Sequence, residues 1–228
     1  MNIIIVFIIS FLILTIFGTL LHFTHGWFKK GILLHIFSAL NESTWEHMKL
    51  LIAPTMLVII FQYIFLRNEY LNIFNSLLIL LIVELISIPL LYEPLRILIK
   101  KVPFFITISI FILSLIFGLI AEYTMLKKEV FIFPEYISLI VILGIVIIFG
   151  IFTYYPPKFF IFRDPVTKRY GDIDRNYYFF HLSNFGIPLV NIQAIIPLMP
   201  SFFISSIQYF WNFSAVSISE GFKNFPFS

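Results

Sequence analysis

Between Asn2 and His22 the chain contains no Asp, Glu, Lys or Arg. At about 1.5 Å of rise per residue, a helix of that length crosses the roughly 30 Å hydrocarbon core of a bilayer. Comparable apolar stretches follow from near Ser43 to Leu66, from Leu71 to Tyr92, from Val102 to about Tyr123 and from Tyr136 to Tyr155. With 60% hydrophobic and 12% charged residues and a mean hydropathy of +1.00, the chain cannot cover itself with polar surface. Soluble domains carry about 25% charged residues. The expected fold is therefore all-α: an integral membrane bundle of five transmembrane helices over residues 1–171, with the lipid bilayer as its solvent. Residues 172–228 read as a separate apolar tail broken by Pro188, Pro197 and Pro200. Within it Phe185–Ile207 reads equally as a sixth span and as a broken, re-entrant or interfacial segment. The N-terminal stretch lacks the basic region and small-residue cleavage site of a signal peptide and is expected to be retained.

Cysteine is absent, which excludes disulfides, thiolate metal ligands and a cysteine nucleophile. The net charge of +3 is small, and no basic-aromatic pattern points to nucleic acid. There is no Gly-rich phosphate loop and no Gly-x-Ser-x-Gly elbow.

One polar run stands out against this background: Asn41-Glu42-Ser43-Thr44-Trp45-Glu46-His47-Met48-Lys49-Leu50. Ser43-Thr44-Trp45-Glu46 fits a capping box that opens the second span, with Glu46 reaching back to the cap. Glu46 is also an i, i+3 partner for Lys49. Pro54 is expected to kink that span. Before the run, Gly31–Leu40 is too short to cross a bilayer and reads as a surface or re-entrant link. After the last span come Tyr155-Pro156-Pro157, then Phe162-x-Asp164-Pro165-x-Thr167, then Tyr170-Gly171, in which Asp164 through Gly171 is turn chemistry.

These two stretches, with Leu21-His22-Phe23 and Pro54, resemble the signature of a family of small prokaryotic membrane proteins known as a domain of unknown function with about five spans (compare). The resemblance covers residues 1–171. It implies the topology and brings no activity with it. Lys168 departs from it, standing where the family pattern has glycine, and the tail after Gly171 has no counterpart in it.

Lys and Arg set the orientation. Lys29, Lys30, Lys49, Arg96, Lys100, Lys101, Lys158, Arg163, Lys168, Arg169 and Arg175 fall on one side, against Arg67, Lys127 and Lys128 on the other. That balance puts the N-terminus outside, and Asn41–Lys49 and Pro156–Gly171 together on the cytoplasmic face of a cell membrane.

Three functions compete. In the first, Asn41, Glu42, Ser43, Trp45, Glu46, His47 and His22, capped by the segment around Asp164, form a cytoplasm-facing pocket for a ligand, lipid headgroup or ion. In the second, His22, His25, Glu46 and His47 hold a divalent metal such as zinc, iron or manganese, and a metal-bound hydroxide hydrolyses a substrate at the membrane. Against it, Glu46 is already explained as a cap and the histidines as interfacial residues. In the third, Glu84, the one carboxylate well inside a span, serves a small transporter or channel subunit acting as a homo-oligomer. Against that stands a Glu84 simply hydrogen-bonded to Ser114 or Gln62. Glu122 reads as a solvated residue at the outer interface, and Arg163, Lys168 and Arg169 as a flank that folds back over the bundle mouth or meets anionic headgroups. Reporter fusions after Arg67, Lys100 and Arg169 test the topology: Lys100 and Arg169 should report from the cytoplasm and Arg67 from outside. A Lys100 fusion reporting outside overturns the assignment.

Overall fold

The computed structural model describes residues 2–27, 32–99 and 102–171, with side chains outside that description at 25–27 and 32–34. Every long apolar stretch becomes a helix: α1 (Ile3–Trp27), α2 (Ile32–Phe37), α3 (Thr44–Lys49), α4 (Ile52–Leu66), α5 (Ile73–Ile99), α6 (Phe104–Lys127) and α7 (Glu135–Tyr154). A 3-10 turn, Phe160–Phe162, follows α7. Among the described residues there is no strand, and an isolated bridge joins Arg163 to Tyr170. Five segments are long and apolar enough to cross a membrane: Ile3–Thr24, Thr44–Leu66, Ile73–Ile99, Phe104–Lys127 and Glu135–Tyr154. The expectations for residues 172–228, including the span or broken segment at 185–207, lie outside the described residues.

Helix α5 is the spine. It packs against α3, α4, α6 and α7, and 67% of its most apolar window is buried, against 22% for α1 and α7 and 28% for α6. The outer helices are apolar on both faces: Ile4, Ile8, Ile16, Phe105, Ile120, Ile140 and Ile147 all point outward. Water would penalise such a surface, whereas acyl chains are as apolar as the side chains they would meet.

Proline shapes two helices in different ways. Pro54 does not kink one long helix. The chain instead breaks into α3 and α4 at Leu50-Leu51, where Leu50 N–H donates to His47 O and Leu51 N–H to Met48 O, one residue tighter than α-helical bonding. Pro54 then sits in the first turn of α4, where a missing N–H costs little. Pro89 and Pro94 are carried inside α5. The helix therefore runs past Tyr92, so Glu93 and Arg96 are helical residues and not the loop that the sequence suggested. The link before α3 is also helical, as α2, which packs on α1 and α7 and buries His35.

At the end of the bundle away from the polar run, the amides that open α5 are satisfied from another helix. Glu135, in the first turn of α7, accepts from Phe74 N–H at 2.7 Å and Asn75 N–H at 3.2 Å. Asn75 donates its side-chain amide to Phe133 O at 2.8 Å and also bonds Glu135, while its Oδ1 accepts from the Ile132 and Phe133 amides. Asn72 reaches Met125 O and Val130 O. The α6–α7 connection is thereby stitched to the start of α5, and the orphan donors of a helix N-terminus are met by a carboxylate that the helix dipole also favours. Glu135→Ala should cost about 2 kcal/mol, the scale of hydrogen bonds to a charged acceptor, whereas Glu135→Gln, which keeps an acceptor, should cost less. Reversible unfolding of the purified protein in detergent measures both.

Candidate functional site

The polar run lies where α1, α3, α5, α7 and the 3-10 turn meet, and most of it is consumed by structure. Ser43 caps α3, its Oγ accepting from Glu46 N–H at 3.4 Å. The reciprocal half of the capping box is replaced. Asn41 Oδ1 accepts from Ser43 N–H at 2.8 Å, and the Glu46 carboxylate turns away to Leu40 N–H at 2.9 Å and Lys49 Nζ at 2.7 Å. Lys49 also donates to His35 O at 2.8 Å. Both members of the pair are buried, Lys49 completely. Lys49 is thus an internal cation that fastens α2 to α3, and not a loop charge of the orienting kind.

The second stretch is brought against the first. Trp45 stacks on Phe149 of α7 with ring centroids 4.0 Å apart, and on Phe162 of the 3-10 turn at 4.4 Å. Aromatic pairs of this kind contribute about 0.5–1.5 kcal/mol beyond their buried area. Asn41 Nδ2 donates to Gly171 O at 3.2 Å across 130 positions of sequence. Gly171 has φ +66°, and a Cβ there would stand 2.9 Å from Pro156 Cγ. Glycine is thus required both by the left-handed backbone and by the close approach to Pro156. Lys168, at φ +61°, also occupies a left-handed conformation, which explains physically why a glycine suits that place.

Asp164 does not face the polar run as a ligand. Its carboxylate accepts from Val166 N–H, Thr167 N–H and Thr167 Oγ1 at 2.6–3.1 Å, and so closes its own turn. Burial raises its pKa, but those hydrogen bonds and the nearby Lys168 outweigh burial and hold the carboxyl below the ordinary aspartate value.

What remains uncommitted is a smaller group. The rings of His22 (α1) and His47 (α3) lie with centroids 5.7 Å apart, and Tyr92 (α5) stacks with His47 at 6.2 Å. His47 Nδ1 sits 2.9 Å from Ser43 O. A carbonyl can only accept, so Nδ1 carries hydrogen and Nε2 is left facing Glu42 at 3.5 Å. Glu42 is well exposed and His47 nearly buried. His22 Nδ1 is buried without a hydrogen-bond partner. Beneath this group, Thr44 Oγ1 donates to Glu93, whose other oxygen pairs with Arg96 at 2.6 Å. Tyr92, Thr44, Glu93 and Arg96 were missed by sequence reasoning. The i, i+3 spacing of Glu93 and Arg96 was the available signal, once α5 is continued through Pro94.

Among the described residues no group of three or more His, Asp or Glu is placed to hold a metal ion. Of the four ligands considered, His22 and His47 are neighbours, Glu46 is engaged by Lys49 and Leu40, and the His25 side chain lies outside the described residues. Glu84 is completely buried and accepts from Thr55 Oγ1 at 2.9 Å. Its partner is neither Ser114, which bonds Phe111 O, nor Gln62, which donates to Ser10. Glu122 is not a solvated interfacial residue. It is completely buried in the bundle, and α6 runs four residues past Tyr123, to Lys127.

A family model described as a family of unknown function, DUF6512, matches residues 3–172. The chain belongs to this family. Both polar stretches lie inside the DUF6512 match. No curated protein and no solved structure matches the chain.

The Glu46–Lys49 pair gives this DUF6512 chain a measurable signature. Lys49→Met alone leaves a buried carboxylate without its cation and should cost about 3–5 kcal/mol, whereas the double variant Glu46→Gln, Lys49→Met should cost clearly less. Unfolding of the single and double variants in detergent checks the sign of the coupling.

Proposed function

We propose that this DUF6512 protein is a multi-pass membrane protein with its N-terminus outside, and that its His22–Glu42–His47–Tyr92 group is a cytoplasm-facing site for the ammonium of a lipid headgroup. What supports this reading is the set of side chains left over once the fold has taken its share. The remaining groups are the exposed Glu42 carboxylate, His47 Nε2 beside it at 3.5 Å, and the unpartnered His22 Nδ1. An exposed carboxylate beside the stacked His47 and Tyr92 rings suits a group that carries positive charge and N–H donors. A bundle rim is where a bilayer supplies such groups, in phosphatidylethanolamine. The cytoplasmic placement rests on the Lys and Arg balance, which keeps its sign when the buried Lys49 is set aside.

The reading is tested by thermal unfolding of delipidated protein with phosphatidylethanolamine, phosphatidylcholine or phosphatidylglycerol added back. Phosphatidylethanolamine should stabilise the wild type most, because the quaternary ammonium of phosphatidylcholine has no N–H to give. That excess should vanish in Glu42→Gln and in His47→Ala. Equal stabilisation by all three lipids, or an excess that survives both substitutions, overturns the proposal.

A further inference from the structure

The loop that follows α7 is fastened to the bundle at two points. Phe162 stacks on Trp45, and Gly171 accepts from Asn41 while lying against Pro156. Between these points the backbone closes on itself. Asp164 N–H donates to Arg169 O at 2.9 Å, Lys168 N–H donates to Asp164 O at 3.0 Å, and Arg163 bridges Tyr170. The loop is thus a folded unit, and a ligand that meets it has little ordering cost to overcome.

Its exposed surface has a narrow chemistry. From 156 to 171 the exposed positions hold four cations, Lys158, Arg163, Lys168 and Arg169. Beside them stand Phe159, Phe160, Val166 and Tyr170, with Thr167 as the remaining exposed residue. The acid of this stretch, Asp164, is buried and spent on its own turn. Among the described residues none of the four cations forms an ion pair. Arg163 Nε donates to Lys168 O at 3.2 Å, which steadies the guanidinium and leaves its terminal N–H groups for a phosphate. The bridge sets Tyr170 on the same face as Arg163, with Cβ atoms about 4.5–5.5 Å apart.

Lys168 adds an independent sign. Its φ of +61° is left-handed, a strained place for a residue with a side chain and an easy one for glycine. Strain of this kind collects at ligand clamps, where the side chain is put to use. The position of the loop names the ligand. Helix α7 is long and apolar enough to cross a membrane and ends at Tyr154, just before Lys158. At such an end, rings settle at the acyl boundary and cations reach the phosphates above it. Phe159 and Val166, 61% and 74% exposed, then have apolar surroundings that water would not supply.

We propose that residues 158–170 are a docking surface for anionic phospholipid, with Lys158, Arg163, Lys168 and Arg169 meeting the headgroups and the exposed rings seated at the acyl boundary. The surface uses none of the residues assigned to the ammonium site and stands if that reading fails.

The experiment uses the full chain, delipidated in detergent, immobilised and equilibrated with radiolabelled phosphatidylglycerol or phosphatidylcholine. The wild type should retain phosphatidylglycerol in preference, and sodium chloride should erode the preference. Lys168→Gly should weaken phosphatidylglycerol binding about fivefold, the share of one cation near an anionic surface. The same substitution should raise the unfolding midpoint by about 2–4 °C, because it relieves the left-handed strain. Arg169→Gln, which leaves the backbone untouched, should weaken binding to a similar degree and stands in if Lys168→Gly fails to unfold cooperatively. Lys128→Gln, at the other end of the bundle, removes the same charge and should leave binding unchanged. The proposal is overturned if the wild type retains both lipids equally, if the loop variants and Lys128→Gln retain equal amounts of phosphatidylglycerol, or if inorganic phosphate or a single-stranded RNA at equal concentration displaces the lipid.

Discussion

A polar group buried in an apolar bundle must find its partner within the chain, because water is not at hand to supply one. The Glu46–Lys49 pair shows how far this constraint reaches. A fully buried lysine is tolerated because its ammonium donates to the Glu46 carboxylate and the His35 carbonyl, while the same carboxylate also takes the Leu40 amide. One ion pair thereby fixes the entry to α3, the end of α2 and the turn between them. The aromatic stack of Phe149, Trp45 and Phe162 can then form on a rigid support.

The same constraint operates at the far end with different chemistry. There Glu135 and Asn75 answer backbone donors and acceptors instead of a charged side chain. Helix α5 runs between the two fastenings, with Thr44 and Arg96 holding Glu93 near one end and Glu135 holding the first amides at the other. Its prolines fit this arrangement. Each removes one backbone bond from a helix whose position is over-determined by packing on four neighbours.

Not every buried polar group finds such a partner. At the rim the exceptions include His22 Nδ1, next to the Glu42–His47 pair. Within the bundle they include oxygens of Glu84, Glu122 and Gln62. The two sets differ in kind. Imidazoles and a partly exposed acid suit a ligand that arrives from outside with donors of its own. The buried oxygens come from three helices, α4, α5 and α6.

Periodicity and composition were enough for the helices, because a chain with so few charges leaves the backbone no other way to satisfy itself away from water. The pairing of Glu46 with Lys49 and the capping role of Ser43 were also legible, since both act within one turn. Gly171 and Asp164 were readable as turn residues for the same reason. Tertiary structure alone decided that Asn41 reaches Gly171, that Trp45 stacks with rings from two distant segments, that Tyr92 joins the histidines and that Glu122 is buried. Local spacing encodes what a residue does to its neighbours in sequence. Which long-range acceptor meets which donor depends on how the helices rotate and slide against one another, and that is settled only when all of them pack at once.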